Sequence, residues 1–304
     1  MADGLCATCC PVGIDTGKMI KKIRSDNRSD RARGVGNWVN KNFSGITSAT
    51  RTGFRVVGLA QDLLGDSNLQ GLSEKLNSIS RGRLPRWNAS MPRSAASLDR
   101  NHPGSVNGKV VYFPSCLSRT MGPAKGDPHQ EALHEGMQSL LVKAGFEAVF
   151  PARVDGLCCG QLLESKGLPI QAGESVRKLE QALWLASEEG RLPVLCDTSL
   201  CTFRMIEGMT KPLKIFEPVG FISEYLLPYL ENRSQLDSVA LHVTCTSRKL
   251  GLEQPMLDMA RRCAKEVVVP VEKGCCGFAG DKGFTTPELN AAALKRLREQ
   301  IPEG

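Results

Sequence analysis

Val110-Val111-Tyr112-Phe113-Pro114-Ser115-Cys116-Leu117-Ser118-Arg119 and Ala240-Leu241-His242-Val243-Thr244-Cys245-Thr246-Ser247-Arg248 are two versions of one element. Each is a short β-rich run that delivers Cys-x-Ser-Arg. Outward from it the copies stay in step. A helix with apolar residues three and four apart comes next, carrying Leu133, Met137, Leu140, Leu141 and Ala144 in one copy and Met256, Met259, Ala260 and Cys263 in the other. A strand is then expected at Glu147-Ala148-Val149-Phe150-Pro151 and at Glu266-Val267-Val268-Val269-Pro270. It runs into Gly156-Leu157-Cys158-Cys159-Gly160 or Gly274-Cys275-Cys276-Gly277. A third helix follows, with Val176, Leu179, Leu183 and Ala186, or with Leu294, Leu297 and Ile301. In the first copy a further strand, Pro193-Val194-Leu195, enters Cys196-Asp197-Thr198-Ser199-Leu200-Cys201. Strands alternating with helices predict an α/β fold of parallel βαβ units. Sheets of this kind place their ligand sites beyond the carboxyl ends of the strands. Cys116, the Cys158-Cys159 pair and Cys201 are therefore expected to converge in one crevice.

Twelve cysteines stand among 304 residues. Met1-Ala2-Asp3-Gly4-Leu5-Cys6 lacks the basic and apolar stretches of a secretory signal, so reduced thiols and a cytoplasmic location are expected. Metal or redox chemistry then outranks a disulfide framework. Neighbouring cysteines of an extended chain point different ways and rarely chelate one small tetrahedral ion, so the Cys-Cys-Gly elements differ from the Cys-x2-4-Cys knuckles of structural zinc sites. An iron–sulfur cluster takes such neighbours on different irons, while Gly160 and Gly277 let the backbone turn closely. Arg119 and Arg248, beside the leading cysteines, are placed either to offset a thiolate cluster's charge or to lie in solvent. Cys263 is expected in the core, and Cys196 there too or as an auxiliary ligand. The four histidines show no ligand spacing, and no Walker loop or dinucleotide fingerprint occurs.

The amino-terminal Cys6-x3-Cys10-Pro11 matches the tail of the bacterial ferredoxin run, with Cys9 as a packing residue. Asp15 and Thr16 are candidate caps for a helix from Lys18 to Arg24. Two amphipathic helices are expected next, one with Phe54, Val57, Leu63 and Leu64, the other with Leu69, Leu72, Leu76 and Ile79. From Arg81 to Gly108, Arg, Ser, Pro and Asn predict an extended surface linker. Residues 1–110 hold 17 Lys/Arg against 8 Asp/Glu, whereas residues 111–304 hold 22 against 24. No aromatic interleaving or binding motif accompanies the basic stretches, so no nucleic acid partner is expected; a solvated surface, an acidic subunit or an anionic membrane face fits better. No run approaches a membrane span.

These motifs resemble the cysteine-rich CCG domains shared by heterodisulfide reductase B subunits, the C subunit of anaerobic glycerol-3-phosphate dehydrogenase and the iron–sulfur half of glycolate oxidase. The likeness is nearest to the carboxyl-terminal half of bacterial FAD- and iron–sulfur-containing D-lactate dehydrogenases. It rests on Asp3–Gly17, Tyr112–Cys116, Cys196–Cys201 and Gly274–Gly283. It implies a partial ferredoxin-like segment (1–45), a helical then extended linker (46–108), a first CCG module (109–236) and a truncated second one (237–304). It further implies [4Fe–4S] clusters held by Cys116, Cys158, Cys159 and Cys201, by Cys245, Cys275 and Cys276, and by Cys6 and Cys10, with no catalytic residue on this chain. A flavin domain carrying FAD, on the same chain or a partner subunit, would oxidise D-lactate or a similar 2-hydroxy acid. Electrons would pass through the clusters to a cytochrome or quinone, peripherally at the inner membrane face. Two departures stand out. Thr198 occupies a position where the family has a cysteine. Adding the first copy's interval to Cys276 also overshoots Gly304, so the chain is expected to be part of a longer protein. The rival readings are a disulfide-cleaving subunit of the heterodisulfide reductase type and a zinc or redox-sensing module.

Overall fold

The structure, a computed structural model, describes residues 11–82, 84, 86–100, 105–231, 235–271 and 286–301. In chain order the elements are α1 (Thr16–Asp26), α2 (Asp30–Lys41), α3 (Phe43–Ile79), β1 (Pro92–Ser94), β2 (Gly108–Phe113), α4 (Cys116–Thr120), β3 (Met121–Ala124), α5 (Leu133–Lys143), β4 (Phe146–Val149), α6 (Gln161–Ser165), α7 (Pro169–Ala186), β5 (Val194–Cys196), α8 (Ser199–Gly208), β6 (Ile215–Phe216), α9 (Pro218–Phe221), β7 (Leu236–Ala240), α10 (Cys245–Lys249), α11 (Glu253–Cys263), β8 (Ala264–Val268) and α12 (Pro287–Leu294). They fall into two compact units. One holds Arg24–Glu74 and Trp87–Leu230; the other holds the described residues up to Ile23, within Lys75–Arg86 and from Glu231 onward.

The larger unit is built on a four-stranded, all-parallel sheet of order β4-β2-β5-β6. Side chains of β2 alternate as a pleated strand requires. Val110 and Tyr112 join Met137, Leu141 and Phe221 on one face, while Val111 and Phe113 join Leu179, Leu183 and Met205 on the other. Both faces are thus covered, which is why β2 and β5 read as unbroken apolar runs. Each fully buried Val, Leu or Phe contributes roughly 1.5–3 kcal/mol to holding these layers together. The chain leaves central β2 for β4 on one side and returns to β5 on the other. The carboxyl end of β2 is therefore a topological switch point, where open α/β sheets have their crevice.

Several expectations shift. β4 stops at Val149, short of Phe150-Pro151, because proline has no N–H to give a neighbouring strand. The two helices of residues 43–79 do meet at a break, where Gly65 takes φ +76°. Of their expected apolar residues only Leu69 is buried and Phe54 half-buried, while the rest face outward, Leu63 at 84% and Ile79 at 80% exposed. The buried residues of α3 are Phe43, Thr47, Gly58, Gln61 and Leu69. Arg93 lies across Gly58 and bonds the Gln61 and Asp62 side chains, so a polar contact selects the inward face. The extended stretch after Arg81 is more than a surface linker, since β1 pairs antiparallel with β3, Ala95 is buried and Leu98 packs on the core. Two of the basic residues are structural: Arg24 Nη1 donates to Ser165 O (2.7 Å) and Arg28 Nε to Lys166 O (2.6 Å), closing the end of α6.

In the smaller unit β7 and β8 pair in parallel from Leu236↔Ala264 to Ala240↔Val268. The strand expected at 240–243 thus lies earlier, with only Leu241 N–H still bonding Val268 O. α11 forms as expected but buries no residue, and Cys263 is exposed rather than core. The apolar residues of that helix are interspersed with Asp258, Arg261 and Arg262, and Met256, Met259 and Ala260 are only half-buried.

Candidate functional site

Three neighbouring strand ends deliver thiols. β2 leads through Pro114-Ser115 to Cys116, the first residue of α4; Ser115 caps that helix, its Oγ accepting Ser118 N–H at 3.2 Å. β4 leads through a turn at Val154–Gly156 to Cys158-Cys159. β5 ends at Cys196, and Cys201 follows in the first turn of α8. Cys159 Sγ and Cys201 Sγ, from chain segments 42 residues apart, lie 3.1 Å from each other. Cys116 stands next to Cys158, and Cys158 next to Cys159, close enough for each thiol to shift its neighbour's pKa. The adjacent cysteines therefore do reach opposite ways, Cys158 toward the β2 end and Cys159 toward the β5 end. Cys158, Cys159 and Cys201 are buried and Cys116 half-buried.

The doublet turns at Gly160, φ +77°. A Cβ there would stand 2.5 Å from Ala172 O, and Gly160 N–H donates to Cys158 Sγ at 3.3 Å. Glycine is thus demanded both by the left-handed backbone and by the approach of α7.

The four thiols share charge unequally. Its neighbours Cys158 and Cys201 pull the Cys159 pKa down to about 5 against burial. Cys116 lowers Cys158, but Cys159, with burial, pushes it up to about 12. Cys116 is held up by its neighbour Cys158 and by burial, Cys201 by its neighbours Cys159 and Cys196. Three of the four thiols are thus held up and one is held down, each by its sulfur neighbours.

Arg119 is buried, not solvated. It donates to Val154 O, to Leu157 O at 2.7 Å and to Ser115 O at 3.3 Å, tying the Cys116 turn to the Cys158 turn. Its only carboxylate neighbour within ion-pair range among the described residues is Asp155, at 3.9 Å. Asp197 and Tyr112 complete the β2–β5 edge, with Tyr112 Oη–H donating to Asp197 Oδ2 (2.9 Å) and Ser115 N–H to Oδ1 (2.8 Å). Thr198 Oγ1, where a cysteine was expected by resemblance, donates to Ser115 Oγ at 2.8 Å. Sequence reading passed over Asp197, Tyr112 and His134, whose buried Nδ1 meets Ser118 O at 3.1 Å. The signal for the first two was present: a lone carboxylate at the end of an apolar strand, and one tyrosine in an otherwise aliphatic and Phe run.

Cys196 sits in the core with Val194 and Met205. Cys245 opens α10 behind the cap Thr244, whose Oγ1 accepts Ser247 N–H at 3.3 Å, repeating the Ser115 arrangement; Cys245 is half-buried. Cys6, Cys10, Cys275 and Cys276 lie outside the described residues.

The sequence profile described as "CCG: Cysteine-rich domain" matches residues 110–205 and 239–303, together more than half of the chain. The chain belongs to the CCG cysteine-rich domain family. Both CCG matches begin at or beside the strand that delivers a Cys-x-Ser-Arg turn, and the first spans all four thiols of the site. Neither curated proteins nor solved structures gave a significant match. In this CCG chain the donor set is four soft sulfurs in a largely buried edge, which suits a thiolate-bound iron–sulfur group and not a hard oxygen-preferring ion. Among the described residues no three His, Cys, Asp or Glu side chains surround a point suited to one metal ion.

Proposed function

We propose that the chain is the iron–sulfur electron-transfer part of a flavin-dependent D-2-hydroxyacid dehydrogenase of the D-lactate type. It takes electrons from FAD on a flavin domain and passes them to a cytochrome or quinone. One observation carries the reading: four thiols gathered at the switch point of a parallel sheet from three separate turns. A [4Fe–4S] cluster bound there would supply one-electron acceptance and release. Cys116, Cys158, Cys159 and Cys201 would hold it; Cys245, Cys275 and Cys276 would hold part of a second, and Cys6 and Cys10 would serve ferredoxin-type clusters. Burial of three of the four thiols keeps water from the sulfurs, and Arg119 fixes a positive charge beside Cys116 and Cys158. Cleavage of a substrate disulfide would need an open crevice at these sulfurs, so their burial favours electron transfer. No described helix is long and apolar enough to cross a membrane, and the proposed acceptor places the chain peripherally at the cytoplasmic face.

Anaerobic reconstitution with iron and sulfide, followed by iron, sulfide and zinc analysis, tests the cluster. Equal iron and sulfide with a reducible visible band is expected; zinc without sulfide would sink it. The substrate is tested separately on the protein with its flavin domain, where D-lactate should bleach the cluster band through FAD.

A further inference from the structure

Ser115, the residue before Cys116, has every polar backbone and side-chain group engaged. Its N–H goes to Asp197 Oδ1, its C=O receives Arg119 Nε, and its Oγ accepts from Ser118 N–H and Thr198 Oγ1. The Asp197 side chain comes from the adjacent strand end, is 5% exposed, and is held on its other oxygen by Tyr112 Oη–H. A carboxylate this buried is a costly choice for a turn that a neutral acceptor would also close. Asp197 and Arg119 thus grip the same residue, one by its N–H and one by its C=O, and that residue is the chain neighbour of Cys116.

We propose that Asp197, steadied by Tyr112, is a positioning residue of the thiol site: it clamps Ser115 so that Cys116 faces Cys158, and its fixed negative charge biases the bound cluster against taking an electron. This rests on the electron-transfer reading for its second half only. Reduction adds one negative charge to the site, and a buried anion nearby opposes it while a buried cation favours it. The Tyr112 hydroxyl offsets part of the Asp197 charge, so the two residues act with opposite sign.

Two variants of the whole chain test this. In D197N the shape is kept and the charge removed. The midpoint potential, followed by EPR during a redox titration, should move positive by about tenfold in electron affinity, or about 59 mV for one electron. Y112F keeps the carboxylate but deletes its donor, and the potential should move negative. Potentials are read on the cluster-loaded fraction of each variant, because a loosened clamp lowers iron and sulfide content in D197N. A merely structural role would shift both variants the same way or neither, and either result overturns the electrostatic half. Without iron, hydrogen exchange reads the clamp: a neutral amide is a weaker acceptor than a carboxylate, so the Ser115 amide should exchange about tenfold faster in D197N. An unchanged rate overturns the clamp. If the wild-type chain takes up no iron and sulfide, the electron-transfer reading and the electrostatic half fail together, while the exchange measurement still decides the clamp.

Discussion

Cys196 and Cys201 belong to one strand-to-helix turn and both are almost wholly buried, so burial does not separate their roles; neighbours do. Cys196 packs in the core, contacts Thr198 O at 3.9 Å and, among the described residues, reaches the cysteine set through Cys201 alone. Cys201 meets Cys159. C196S should therefore cost about 1–3 kcal/mol of stability, the penalty of placing a hydroxyl in an apolar core, and leave iron uptake intact. C201S should lose iron uptake at the first site with a smaller change in stability. Denaturant unfolding and iron analysis on the two variants check this, and the opposite pattern would exchange the roles. Glu217 offers a pH test. Its carboxylate is raised by burial despite accepting from Gly220 N–H at 2.7 Å and from Ser199 Oγ. A carboxyl group raised on folding contributes stability present below its unfolded pKa and lost as pH climbs through the folded one. Relative to E217Q, the wild type should lose stability as pH rises from about 4.5 toward neutrality, when thermal unfolding of both is followed across the range.

At the scale of elements, the sheet was legible because β2 and β5 are short apolar runs ended by a change of chemistry, Pro114-Ser115-Cys116 and Asp197-Thr198. The Cys-Cys-Gly turn was legible for the reason that makes it fragile: no residue with a Cβ fits Gly160 beside Ala172 O. G160A should lower stability by about 2 kcal/mol or more and lower iron uptake with it, checked by thermal unfolding together with iron analysis. An alanine that left both unchanged would mean that α7 yields easily. The outward stripe of α3 was not legible. Polar and apolar residues alternate along it without one clean stripe, and the distant Arg93, bonding Gln61 and Asp62, helps decide which face turns in. Cys263 fails for a related reason, since helical spacing announces a stripe but not the presence of a surface to bury it. Asp197 escaped because its partners, Tyr112 and Ser115, are 85 and 82 positions away.

At the scale of the whole molecule, the duplication seen in sequence is kept in pattern and lost in burial. Both copies cap a Cys-x-Ser-Arg turn with a hydroxyl residue, and both pair their strands in parallel. Sequence repeats transmit local instructions of this sort, because a cap or a strand is written in adjacent residues. Burial is set by what surrounds the element, and there the copies part. Val110 to Phe113 are at most 1% exposed, whereas four of the five residues of β7 are exposed. A strand whose backbone bonds face solvent opens at a low local free energy, while a strand sealed on both faces opens only with its unit. Amides of Val110–Phe113 and Val194–Cys196 should therefore exchange on the order of a hundredfold more slowly than those of Leu236–Ala240 and Ala264–Val268, measured by hydrogen exchange on the intact chain. Equal protection would show that something covers β7 and β8 in solution and that the two copies are alike in stability as well as in pattern. Unequal protection would place the durable thiol site in the first copy. On that outcome, iron bound at Cys116, Cys158, Cys159 and Cys201 should be the last to be lost as denaturant is raised.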